Sequence, residues 1–283
     1  MNPENLYHNP LERQIVTLRS FKEVVYQLAL PIETIRSGDK VLSVGEGLSN
    51  FSRTLMAETG AMVIAADAGY SLFSPKDTPE QARAKIEAGG QKVVIGNNLF
   101  SSDLDNTLAP PQKEGEEQLS VAANVYELPF DDNSIDQIVS THLLEHIDFS
   151  RALPEMLRVL KTNGEIRFGG EEYSFSQAEE QDAVLLPTDS DWYQGWQKAF
   201  DLMKEEQLSV YGVLAQAAAS SSRRTVLLSF VIQKKGNNRI PKFSLPARQI
   251  KNNLHGKIVR LNIPETKLRK DAKSRCPVEI IYS

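Results

Sequence analysis

The stretch KVLSVGEGLSNF, Lys40 to Phe51, runs from an apolar segment through a turn with two glycines into a polar start of a helix. Val41 to Val44 reads as a buried strand, and Ser49 to Glu58 as a helix with Phe51 and Leu55 on one face. Gly45 and Gly47 let the backbone bend sharply and approach a ligand closely, because no Cβ intervenes. The next strand, Met62 to Ala66, ends at Asp67, 20 residues after Gly47. A carboxylate at that tip can accept hydrogen bonds from both hydroxyls of a ribose. Strand, glycine turn, helix, strand, acid is a nucleotide-binding arrangement. Taken alone it is compatible with a nicotinamide dinucleotide as well as with other ligands.

Outward from this unit the alternation continues. Ile15, Leu18, Phe21, Val24, Val25 and Leu28 recur at three- and four-residue steps, which predicts an amphipathic helix over 11–30 that Pro31 ends. Thr78 to Ala88 reads as a helix with Thr78 as N-cap, Pro79 at its first position and Gly89 just beyond it. Ile135 to Ser140 is a strand entered through the turn DDNS. Arg151 to Leu160 is a helix with Ser150 as N-cap and Pro154 in the first turn. Glu165 to Phe168 is a strand leading into a loop, GGEEYSF. Asp191 to Glu206 reads as a helix, and Leu208 to Val213 and Thr225 to Gln233 as strands. Strands alternating with helices imply right-handed crossovers. The expected fold is α/β: a Rossmann-like, doubly wound, mostly parallel seven-stranded sheet with helices on both faces, plus a basic C-terminal extension. The expected division is one domain over 1–235, with a helical lid at 1–35 and an acidic, polar insertion at 96–120, followed by the extension at 236–283. Within the insertion, DLDNTL, Asp103 to Leu108, matches the DxDxT motif of haloacid-dehalogenase-like phosphatases. The residues before it, NNLFSS, are not the buried apolar strand on which such a nucleophile is mounted, so chance similarity is the better account.

Composition narrows the classes. The 283 residues are 41% hydrophobic and 24% charged, as in a soluble globular protein. No apolar run approaches the roughly 18 residues needed to cross a bilayer. The polar start MNPENLYHNP lacks the features of a secretory signal, so a cytoplasmic location is expected. One cysteine, Cys276, excludes an internal disulfide, and with four histidines the chain offers no sulfur-based metal site. The net charge of −5 hides an asymmetry: 236–283 holds 11 Lys and Arg against 3 acids, while the rest holds 21 against 34. The tail is expected to contact nucleic acid, an anionic surface or its own acidic domain.

The run ANVYELPFDDNSIDQIVSTHLLEHID, Ala122 to Asp148, followed by RALPEMLRVLKTNGEIRF, Arg151 to Phe168, decides between ligands. It closely resembles the class I S-adenosylmethionine-dependent methyltransferases, in the type 11-like branch that carries LPFxDxSFDxVxSxxxLEHI and then RVLKPGG. The resemblance covers about Val41 to Phe168. It implies S-adenosyl-L-methionine as cofactor and methyl transfer to an acceptor, most often a small molecule. It also implies that Gly45, Glu46 and Gly47 run under the methionine part and that Asp67, with Ala68 beside it, binds the ribose. Asn124, with Val125 beside it, stands where the family has an adenine-binding acid, and its side-chain oxygen can accept the same bond. Ser140 and Thr141 fall where the family brings backbone close to the cofactor, and Glu145 and His146 lie near the methyl-transfer face. The chain departs from the pattern at Ser43, where the family has an acid at the end of the first strand, and at Ser49, where it has a third glycine. Glu46 can supply the missing charge.

Methyl transfer from a sulfonium is an in-line displacement, so positioning dominates and a base is needed only where the acceptor must lose a proton. The candidate bases are His146, His142, Glu145, Glu171 and Tyr173. Two other readings stand beside the enzyme. One is a catalytically silent methyltransferase-like binding or assembly module, and the other is a nicotinamide-dependent oxidoreductase, which leaves the segment from LPFDDNSID to LEHI unexplained.

Overall fold

The computed structural model describes residues 15–74, 77–88, 92–95, 119–144, 146–178, 181–186, 190–216, 225–237, 239–245, 254–263 and 274–281. The first element among the described residues is β1 (Ile15–Leu18), and α1 (Phe21–Gln27) follows. The long first helix is thus corrected to a strand and a short helix. The run IVTL pairs in parallel with β4 (Lys92–Ile95), and Ser20 accepts from the Glu23 N–H to start the helix two residues later. Then come β2 (Lys40–Val44), α2 (Phe51–Thr59), β3 (Met62–Asp67) and α3 (Pro79–Ala88). Thr78 and Gln81 cap α3 reciprocally: Gln81 N–H donates to the Thr78 hydroxyl at 3.2 Å and Thr78 N–H to Gln81 Oε1 at 2.8 Å. Most of the expected insertion, including DLDNTL, lies outside the described residues, but its end forms β5 (Leu119–Ala122).

Next are β6 (Ile135–Thr141) and α4 (Phe149–Val159). The N-cap of α4 is Asp148 rather than Ser150, its carboxylate accepting from the Ser150 N–H at 3.1 Å. The second half comprises β7 (Leu160–Ala178), β8 (Gln181–Leu186), α5 (Ser190–Glu205), β9 (Ser209–Gln216), β10 (Thr225–Gln233), β11 (Ile258–Leu261) and β12 (Ser274–Ile281).

Pairing runs β5–β3–β2–β6–β7 in parallel, and β10 and β9 follow β7 antiparallel. From β9 the sheet continues through β11, β12 and β8 back to β7. Six antiparallel strands, β7–β10–β9–β11–β12–β8, therefore close a ring that shares β7 with the parallel half. The fold is α/β and Rossmann-like, but the expected count of seven mostly parallel strands is corrected: among the described residues the sheet has ten strands, and six of its pairings are antiparallel. The tail strands β11 and β12 lie inside this sheet. GGEEYSF is likewise strand rather than loop: opposite β10, Leu227 pairs with Tyr173 and Ser229 with Gly169, so GGEE bulges out of register while the chain stays paired.

Apolar side chains leave both faces of the parallel half. Leu42, Ile64, Ile138, Ile166 and Phe168 pack with α4 and α5, while Val41, Val63 and Val139 pack with Val24 of α1 and with Phe51 and Leu55 of α2. On the ring, α5 lays Trp196 and Phe200 against Tyr173 and Phe230. The carboxyl ends of β2, β3, β5 and β6 are thereby held side by side.

Candidate functional site

The turn after β2 is made by two left-handed glycines, Gly45 at φ 71° and Gly47 at φ 61°. Gly45 N–H donates to Ala66 O at 2.8 Å, tying the turn to the end of β3. A Cβ on Gly45 would come within 2.8 Å of Leu143 Cδ1, so the segment after β6 packs directly on the turn, whereas a Cβ on Gly47 would meet nothing within 4 Å. Gly47 is where the turn opens.

Asp67 supports that turn. Its Oδ2 accepts from Gly47 N–H at 2.9 Å and its Oδ1 from Gly69 N–H at 2.7 Å. Burial pushes the Asp67 carboxyl up, against the pull of these two bonds. Glu46, between the glycines, folds back toward the strand. Its Oε1 accepts from Ser52 N–H at 2.9 Å, and the hydroxyls of Ser52 and Ser43 also donate to its carboxylate. The acid that the sequence lacks at position 43 is thus present in space, carried by the turn. Burial raises the Glu46 carboxyl to about 7, the serine hydrogen bonds oppose this, and the charge of Asp67 adds to it. Tyr70, buried just after Asp67 in the 3-10 turn Ala68–Leu72, has its phenol raised by burial and by the charges of Glu46 and Asp67, with Arg53 opposing.

The remaining expected residues gather around this core in different ways. Ala123 N–H donates to Asp67 O at 3.3 Å, which holds the start of the Asn124 turn against the end of β3. The side-chain oxygen of Asn124 accepts from Tyr126 N–H at 3.1 Å and so also shapes the turn. Val125 is buried in the core, and Ala68 begins the 3-10 turn. Ser140 is buried, and its hydroxyl donates to Val44 O at 2.7 Å, locking β6 to β2, while Thr141 pairs with Gly169 and is half-buried.

His142 adopts φ 54°, unusual for a residue with a side chain, and its ring lies on Gly170, where a Cβ would be 2.2 Å from Nε2. His146 is half-buried, with its N–H donating to Leu143 O at 2.9 Å. Glu145 and the side chain of Glu171 lie outside the described residues. Tyr173 is removed from the list of bases: its ring packs against Trp196 and Phe230, inside the apolar cluster of the ring. Sequence reading missed Leu143, Tyr70 and the pair Tyr126 and Arg151. Tyr126 accepts from Asp148 N–H at 2.8 Å, and the Arg151 guanidinium stacks 4.4 Å from its ring. None of these belongs to a spaced motif that could have revealed it. No cluster of His, Cys, Asp or Glu suited to a metal occurs among the described residues.

Residues 42–168 match the family described as a methyltransferase domain. This segment is similar to a methyltransferase domain. The domain is 31% identical over 136 residues to a ubiquinone/menaquinone biosynthesis C-methyltransferase of Haemophilus ducreyi, covering 47% of this chain and 41% of that one. It is 26% identical over 126 residues to an uncharacterised methyltransferase of Mycobacterium bovis, covering 40% of this chain and 52% of the relative. The chain spans about half or less of the length of these relatives. A methyltransferase of Methanosarcina mazei has a solved structure with a TM-score of 0.38 and 18% identity, covering 71% of this chain and 95% of that one.

Proposed function

We propose that the chain transfers a methyl group from S-adenosylmethionine to a small-molecule acceptor. The observation that carries this reading is the gathering of Asp67, the open Gly47 and Asn124 at the carboxyl ends of β2, β3 and β5. Asp67 with Ala68 would hold the ribose, Asn124 and the Val125 backbone the adenine, and the Gly45–Gly47 turn the methionine part. Ser140 and Thr141 bring backbone to the same place. The donor set fits this cofactor: the space before Gly47 is one that a Cβ would fill, and the Glu46 carboxylate stands beside Ser43 as a counter-charge for an ammonium group. When bound, the cofactor supplies a methyl group on a sulfonium, already activated toward a nucleophile.

The work left to the protein is to hold the acceptor on the axis of attack, within about 3–3.5 Å, and to exclude water. Leu143, which packs on the turn at Gly45, is suited to both tasks. His146 and Glu145 are the proposed bases for an acceptor that must lose a proton.

A second reading, a silent binding or assembly module, is favoured by the engagement of both Glu46 oxygens within the turn. The pairing of β11 with β9 and of β12 with β8 supports the reading in which the basic tail docks on its own body. Thermal unfolding with each ligand in turn separates the classes. S-adenosylhomocysteine should raise the midpoint and NADH should not; the reverse result would return the turn to a dinucleotide.

A further inference from the structure

The chain around His146 is pinned on both sides, and each pin sits on a turn that bears on Asp67. On one side Leu143 packs on the glycine turn, where a Cβ on Gly45 would lie 2.8 Å from Leu143 Cδ1. On the other side Asp148 donates its backbone N–H to the Tyr126 hydroxyl oxygen at 2.8 Å. His146 stands between them in sequence, its own N–H donating to Leu143 O at 2.9 Å. The two turns meet at one residue. Asp67 Oδ2 accepts from Gly47 N–H at 2.9 Å, and Asp67 O accepts at 3.3 Å from the N–H of Ala123, which leads into the Asn124 turn.

The Tyr126 side chain plays no part in closing its own turn. Asn124 Oδ1 accepts from Tyr126 N–H at 3.1 Å, and Asn124 O from Glu127 N–H at 2.9 Å. The far end of the turn is fixed to the body of α4: Leu128 N–H donates to Glu155 Oε1 at 2.8 Å and Arg158 Nη2 to Leu128 O at 2.9 Å. The Tyr126 hydroxyl reaches a different place, the joint where the His146 segment becomes helix. Asp148 is that joint, since it caps α4 through the Ser150 N–H at 3.1 Å. The ring that makes this reach is half-buried and stacked, with the Arg151 guanidinium 4.4 Å from its centroid. Burial raises the Tyr126 phenol, with the Asp148 N–H opposing, so the hydroxyl stays protonated at neutral pH.

We propose that Tyr126 is a positioning residue that couples the Asn124 turn, through the Asp148 N–H, to the segment bearing His146, so that a ligand seated on that turn orders the acceptor side of the site. The coupling rests on the reading of Asn124 as the adenine partner and of His146 as a group at the methyl-transfer face. Backbone bonds suit such a role because they fix the path of the chain whatever acceptor it meets.

Amide hydrogen exchange on the full chain, with and without S-adenosylhomocysteine, tests this without an acceptor. In the wild type the ligand should slow exchange at Gly47, Asn124, His146 and Asp148, by at least about fivefold at the last two, the low end of coupling between sites. Tyr126→Phe removes the hydroxyl and keeps the ring over Arg151. The variant should bind S-adenosylhomocysteine within about threefold of the wild type by calorimetry and still show slowing at Gly47 and Asn124, but less than about twofold at His146 and Asp148. A Tyr126 that only stabilised the fold would leave the ligand-dependent ratio unchanged. Equal slowing at His146 and Asp148 in both proteins would therefore overturn the coupling and leave the cofactor reading standing. No binding by the wild type in the same titration would overturn the cofactor reading and the coupling with it.

Discussion

Glu46 shows how much a single side chain decides. Its neighbours are Ser43 on β2, Ser52 on α2, Asp67 at the end of β3 and Tyr70 just after it, so two carboxyls and a phenol share one partly buried corner. The folded Glu46 carboxyl titrates near 7, above its ordinary value of 4.5. The folded chain therefore keeps a proton that the unfolded chain releases, and the stability this confers is present below pH 4.5 and lost as the pH rises through about 7. Asp67, also raised by burial, adds a decline of the same sign. Urea unfolding at pH 5 and pH 8 checks this: Glu46→Gln should shrink the wild-type loss of stability across that interval. Cofactor affinity should move the other way. Ionised Glu46 faces a cationic ammonium better than neutral Glu46, so binding should strengthen from pH 6 to pH 8, and the Gln variant should flatten that profile.

At the scale of elements, β7 is the member that joins two structures. It leaves the parallel sheet at Gly169, bulges through Gly170 at φ 83° and continues into the antiparallel ring. A Cβ on Gly169 would lie 2.2 Å from Gln27 O and 2.8 Å from Leu28 N, so the end of α1 rests on the strand backbone itself. Gly169→Ala should destabilise the protein by about 1–3 kcal/mol, read as a lower urea midpoint, because the neighbour is backbone and cannot rotate aside. The same element explains what the sequence showed and what it hid. The unit from Lys40 to Asp67 was legible because its apolar runs, glycines and acid follow local periods, and Ile135 to Phe168 because its motif is long. The ring was hidden. GGEE has no strand pattern because a bulge suspends alternation, and 258–261 and 274–281 are short runs whose pairing partners lie far away in sequence. Glu46 was legible as a charge but not as a group folded toward Ser43, since no spacing rule gives the direction of a side chain in a turn.

For the molecule as a whole, the tail residues close the ring. Val259 and Cys276 are buried, and burial pushes the Cys276 thiol up to about 12. A thiol reagent should therefore label native Cys276 only as fast as the fold opens, in step with unfolding, whereas labelling at the rate of a free thiol would show the tail undocked. The carboxyl ends of the parallel half carry the proposed site, and that is where the central claim can be tested most directly. The decisive measurement is calorimetric titration of S-adenosylmethionine into the wild type and Asp67→Ala side by side. The account predicts saturable binding by the wild type and an affinity about 10- to 100-fold lower in the variant, the worth of hydrogen bonds to a charged acceptor. No binding by the wild type up to about millimolar concentrations, or equal binding by both proteins, would contradict it.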